Sequence, residues 1–143
     1  MEKDVSTVVQ EINAIVQGKE WFDFHVVECD RNRLVIGGSE DLTYYHKMEL
    51  VFENVFFFSG VVSGWHTDTR KPMLTLPDPQ LLIELNKQFE IIEGNHLFII
   101  HPEDFQNKIY VAAERLTYNT DTVFYYQRRD LKENERIARW AKQ

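Results

Sequence analysis

The side chains best placed to do chemistry in this 143-residue chain are His66 and Asp68, an H-x-D pair beside Trp65. On an extended segment two such residues project to the same side, which is how an imidazole and a carboxylate begin a metal site. More ligands would be needed. His46, His96 and His101 supply candidates, yet none falls at a recognised ligand spacing, so the competing reading is a loop whose Trp65 plugs the core or presents a contact surface. No metal or other cofactor is expected.

Nucleophilic chemistry has less support. Cys29 lies between Glu28 and Asp30, whose negative charges disfavour the thiolate that attack requires, so it reads as an inert thiol. No G-x-S-x-G elbow, phosphate-cradling loop, dinucleotide fingerprint or H-E-x-x-H pattern occurs. Glu103 and Asp104 follow Pro102 in a turn, where carboxylates are solvated. Glu114 shares a strand face with Tyr110, Ala112 and Leu116, and if that face turns inward its pKa would rise. His46 alternates in register with Tyr44, Met48, Leu50 and Phe52, which makes it a hydrogen-bonded core histidine if that face is buried and a pocket residue if it is not.

These residues need a scaffold, and its elements follow from periodicity. Val5, Val8, Val9, Ile12, Ile15 and Val16 recur at helical spacing, with Asp4 or Ser6 to cap the start, Gly18 to end it, and Gln10, Glu11 and Asn13 on the polar face. The period then changes to two. Phe22, Phe24 and Val26 alternate with Asp23, His25 and Val27, and Asp30-Arg31-Asn32-Arg33 turns this strand into Leu34-Val35-Ile36. A third strand covers Tyr44 to Glu53, Asn54 turns or bulges the chain, and the apolar run from Val55 to Val62 suits a strand covered on both faces. Residues Ser63 to Pro79 break every period and form the longest loop. Asp78 caps a short helix from Pro79 to Lys87, strands follow at Phe89 to Ile92, Leu97 to His101, Ile109 to Tyr118 and Thr122 to Gln127, and Asp130 caps a terminal helix with Glu135 and Arg139 as an i,i+4 pair. The expected class is α+β: a mainly antiparallel β-sheet or sandwich with N-terminal, short middle and C-terminal helices, in one globular domain over residues 1–143.

Composition narrows the function classes. The content is 43% hydrophobic and 13% aromatic, enough for a self-supporting core without staples, and the single cysteine excludes an intramolecular disulfide framework. The net charge of −7 disfavours nucleic-acid binding through the bulk surface. It is unevenly placed: residues 128–143 carry +3, leaving −10 for residues 1–127, so the basic end either holds to its own body or presents a second surface. The first residues, MEKDVSTVVQEINAIV, lack a signal peptide's apolar core and cleavage site, and no apolar run approaches the roughly 20 residues of a membrane span. A cytoplasmic location is expected, with no membrane partner.

The segments WFDFHVVECDRNRLVIGG, MELVFENVFFFSG and HLFIIHPEDFQNKIYVAAERLTYNTDTVFYYQR together resemble small β-rich bacterial proteins grouped with polymorphic-toxin immunity proteins and related uncharacterised domains. Phe22-Asp23 matches the aspartate-containing first strand, and Phe52 with Val55 matches the F-x-x-V element. The similarity covers residues 21–127 and leaves out the terminal helices. It implies a cytoplasmic protein without catalysis or cofactor that works by occluding a partner, and it assigns no functional residues.

Two expectations follow. The first is a noncatalytic protein-binding module, immunity-like, whose acidic surface meets a basic toxin domain, since opposite charge speeds encounter and aids discrimination. The second is a small-molecule or metal-binding domain, extending to an enzyme, built on an aromatic pocket with His46 or with His66 and Asp68. Trp65 serves either as contact or pocket residue, and self-association is left open.

Overall fold

The computed structural model describes residues 3–141. The first helix, α1 (Val5–Val16), opens where the Asp4 carboxylate accepts the Thr7 amide hydrogen at 2.9 Å, and it buries Val8, Val9, Ile12 and Val16. Gly18 follows its end at φ +85°, a conformation that glycine adopts without strain. Asn13 leaves the polar face expected of it. Its side chain donates to the Leu74 carbonyl at 2.8 Å and accepts from the Met73 and Leu74 amides at 3.1 Å, tying the helix to a neighbouring strand.

That strand belongs to a large antiparallel sheet. In chain order the strands are β1 (Phe22–Cys29), β2 (Arg33–Ser39), β3 (Tyr45–His46), β4 (Met48–Ser59), β5 (Trp65–Thr67), β6 (Leu74–Thr75), β7 (His96–Ile100), β8 (Ile109–Asn119), β9 (Thr122–Phe124) and β10 (Glu135–Ile137), with α2 (Pro79–Gln88) between β6 and β7. Seven of them form one sheet in the order β5-β1-β2-β4-β8-β7-β6, and β10-β9-β3 form a second, smaller sheet. The fold is α+β, as its pattern of elements predicts. The large sheet curls until its edges meet: Thr67 of β5 bridges Pro102, just past β7, and the Glu103 amide donates to the His66 carbonyl at 2.8 Å. The curl wraps α1, whose apolar stripe packs with Phe24, Ile36, Leu50, Phe52, Phe98 and Val111. The opposite face is shared: α2 covers Leu97, Ile99 and Ala112, and the small sheet lies over the β1, β2 and β4 region.

Several expected elements differ. The third strand breaks at Lys47, whose amide bonds the Gly38 carbonyl at 3.0 Å, so Tyr45 and His46 pair with β9 while Met48 onward stays with β2. Asn54 sits at φ +54° beside a bulge between Val55 and Phe57, and beyond it β4 is half-covered: Phe57 packs under α2, Phe58 joins the main core and Phe56 is exposed. Phe89 to Ile92 is not a strand, because Glu90 at φ +53° ends α2 and turns Phe89 and Ile91 back beneath it. The long loop contains β5 and β6. The face holding Glu114 lies beyond the cover of α2, which leaves this carboxylate exposed.

The terminal helix is absent from the described residues. Asn134 at φ +64° turns the chain into β10, which runs parallel to β9 with Glu135 opposite Thr122 and Ile137 opposite Phe124, and only a single 3₁₀ turn, Arg139–Ala141, follows. Glu135 instead accepts from the Lys132 amide, and Arg139 reaches Glu28. The Asn13 clamp makes the attachment of α1 testable. Replacement by alanine leaves two amides and a carbonyl without their partner and should destabilise the protein by about 2 kcal/mol in urea unfolding, whereas Gln10→Ala on the exposed face should be near neutral.

Candidate functional site

Polar groups gather in two places, and the first lies between the two sheets. His46 is 0% exposed. Its Nε2 is 2.8 Å from Glu49, its Nδ1 is 2.7 Å from the Tyr125 hydroxyl, and that hydroxyl is 2.8 Å from His25 Nε2. Glu49 also accepts from Arg136 and, at 3.2 Å, from Asn119, while Arg136 reaches Asp121 at 3.2 Å. Burial pushes the Glu49 carboxyl up, but these hydrogen bonds and the Arg136 charge outweigh it and hold the group at about 2.

Ionised Glu49 sets the direction of the whole chain. His46 must donate from Nε2, so in the neutral imidazole Nδ1 accepts the Tyr125 hydrogen, and the Tyr125 oxygen accepts from His25. Burial, with the Glu49 charge, pushes the Tyr125 hydroxyl well up and keeps it protonated. The same desolvation, with the nearby His46, pulls the His25 imidazole down. Gly37 makes room for the arrangement, since a Cβ there would lie 2.8 Å from the His46 ring. A fully buried imidazole touches no substrate. The network can fasten the small sheet to the large one and hold protons in a fixed order.

The second cluster lies at the seam where the large sheet closes. His66 projects outward from β5, its Nδ1 2.6 Å from Asp23, and its backbone amide donates to Asp104 at 3.0 Å. The hydrogen bond to Asp23, reinforced by that charge, raises the His66 pKa. Asp23, Glu40, Asp41, Glu103 and Asp104 line, together with the imidazole, a hollow of about 750 Å³. Glu40 is paired with Lys47 at 3.0 Å, which leaves four of the five carboxylates without a lysine or arginine ion pair among the described residues. Trp21 completes the wall, 64% exposed, its indole N–H donating to the Glu40 carbonyl at 2.8 Å. Thr67 also lines the hollow, and its hydroxyl, in a residue 4% exposed, has no hydrogen-bond partner.

The structure separates the residues that the sequence groups. Trp65 is 3% exposed and stacks on Phe24, so it plugs the core. Asp68 turns to Arg70, which grips it with two nitrogens at 3.0 and 3.1 Å and, together with the Arg70 amide, holds its carboxyl at about 2. His66 and Asp68 thus serve different partners. His101 bonds Thr75, and His96 is exposed. Burial, then Asp30, pushes the Cys29 thiol up. Among the described residues no three His, Cys, Asp or Glu side chains are placed to hold a metal ion.

Trp21, Asp23, Glu40 and Asp41 escape sequence reasoning because four separate segments assemble the hollow. Glu49 escapes it for a geometric reason: residues three apart lie on opposite faces of a continuous strand, and only the break at Lys47 lets His46 meet Glu49. No family model matches this chain, and no curated protein or solved structure is found similar to it.

The network predicts acid sensitivity with a defined sign. A carboxyl held at about 2 against an ordinary 4.5 contributes roughly 3 kcal/mol that is present above pH 4.5 and lost as pH falls toward 2. His25, kept neutral by burial, acts in the same direction beginning below its ordinary 6.5. Thermal unfolding followed against pH should show both losses, and Glu49→Gln should lower stability at neutral pH while flattening the acid limb.

Proposed function

We propose that this chain is a noncatalytic protein-binding module, of the toxin-neutralising kind, that receives a basic segment of its partner in the acidic hollow at the seam. The observation that carries this reading is the excess of carboxylates around a single imidazole. A lysine or arginine entering there gains from complementary charge, and opposite surface charge accelerates encounter. A further feature supports it. Exposed tryptophan is a common anchor of protein interfaces, and Trp21 stands at the rim with its indole already oriented by Glu40.

Charge at the hollow depends on His66. When protonated it neutralises Asp23, so raising pH through its elevated pKa adds one net negative charge. Affinity for a labelled polyarginine peptide should therefore rise as pH is raised past the ordinary histidine value of 6.5, fall with added salt, and lose its pH dependence in His66→Gln. The double substitution Asp41→Lys with Glu103→Lys, both at exposed positions, should weaken binding by at least about tenfold. Affinity indifferent to salt and to that double change contradicts the reading. For the toxin-neutralising part, co-expression with a toxin encoded by the adjacent gene should restore host growth, and unchanged killing contradicts it.

A further inference from the structure

A second cleft, on the other side of the small sheet, has different chemistry. It encloses about 630 Å³, within the range of small-molecule sites. Its floor is aliphatic, formed by Val27, Val35, Val123 and Ile137. Arginines stand over it, and they are unequally matched. Arg136 is taken up by Glu49 and Asp121. Arg33 and Arg139 share one carboxylate, that of Glu28, with a nitrogen of each at 3.2 and 3.0 Å from its two oxygens.

Each guanidinium has five N–H donors; Arg139 gives one to Glu28 and Arg33 meets it as an ion pair, so donors remain on both for another acceptor. The lining of the cleft holds three arginines against two carboxylates, Glu28 and Glu49. Asp30 feels the Arg33 and Arg139 guanidiniums, but its Oδ1 accepts the Asn32 and Arg33 amides of the hairpin turn, and it does not line the cleft. The side chains of Arg33 and Arg139 are 49% and 89% exposed, so an acceptor can reach them without opening the fold. Trp140 adds an aromatic wall. It packs on Tyr125 with ring centroids 5.2 Å apart and remains 51% exposed.

We propose that this cleft binds a small carboxylate with an aromatic or branched apolar body. Its carboxylate sits between Arg33 and Arg139, as guanidinium groups recognise carboxylates, and its body lies on the aliphatic floor against Trp140. The site is separate from the acidic hollow and takes a ligand of opposite charge.

The test uses 2-naphthoate and its neutral counterpart 2-naphthamide, titrated into the full chain carrying Trp21→Phe, with tryptophan fluorescence and methyl NMR as readouts. Naphthoate should quench Trp140 saturably and shift the Val123 and Ile137 methyl signals, and the amide should bind at least about tenfold more weakly. Arg33→Gln with Arg139→Gln should weaken naphthoate by a similar factor while the melting temperature holds. Equal affinity for acid and amide, absence of saturable binding, or a folded double variant with undiminished affinity overturns the proposal. The acid–amide comparison needs neither arginine substitution and decides the matter even if those substitutions unfold the chain.

Discussion

A carboxylate 4% exposed between two sheets must be paired or protonated, and Glu49 is paired from three sides. Much of the architecture answers that requirement. His46 must leave the line of β4 to reach it, which is why the strand breaks at Lys47. Gly37 must lack a side chain beneath the imidazole. Tyr125 must bring its hydroxyl to His46 Nδ1, and does so at 2.7 Å. Arg136 must come from the far end of the chain, and in doing so it draws β10 alongside β9. Loss of any one partner leaves a buried charge or a buried donor unmatched, so these residues act as a unit in stability.

The same network explains the uneven charge of the sequence. The basic end holds to its own acidic body as a strand: Arg136 pairs with Glu49 and Asp121, and Arg139 with Glu28. Pairing there leaves the carboxylates at the seam in excess, because Asp23, Asp41, Glu103 and Asp104 have no arginine or lysine ion pair among the described residues. Closure of the sheet through Thr67 and Pro102 brings these groups together from opposite edges. Folding and the proposed recognition thus draw on the same event, the curl of the large sheet around α1.

What the sequence makes legible is local. The Asp4-capped helix, the hairpin turned by Asp30 and the Asp78 cap of α2 all rest on neighbouring residues, and the structure contains each. The buried side of β1, Phe22 and Phe24, follows from simple alternation. The functional clusters depend on distant pairs instead. His25 meets Tyr125 across 100 residues, Arg136 meets Glu49 across 87 and His66 meets Asp23 across 43. No periodicity encodes such meetings. The terminal segment shows the cost: Glu135 and Arg139 have perfect helical spacing, yet the ladder to β9 and the pull of Glu49 on Arg136 outweigh one exposed i,i+4 pair worth a few tenths of a kcal/mol. H-x-D misleads because the two residues find separate partners, His66 meeting Asp23 on β1 and Asp68 held locally by Arg70.

The central claim is that the seam hollow is where a basic partner binds. Isotope-labelled protein titrated with a polyarginine peptide and followed by NMR tests it residue by residue. The account predicts that the largest shifts fall on the Trp21 indole N–H, the His66 imidazole and the amides of Asp41 and Glu103, with the signals of Glu114 and of α2 unmoved. Shifts spread evenly over the acidic surface, or centred away from these four residues, would contradict it.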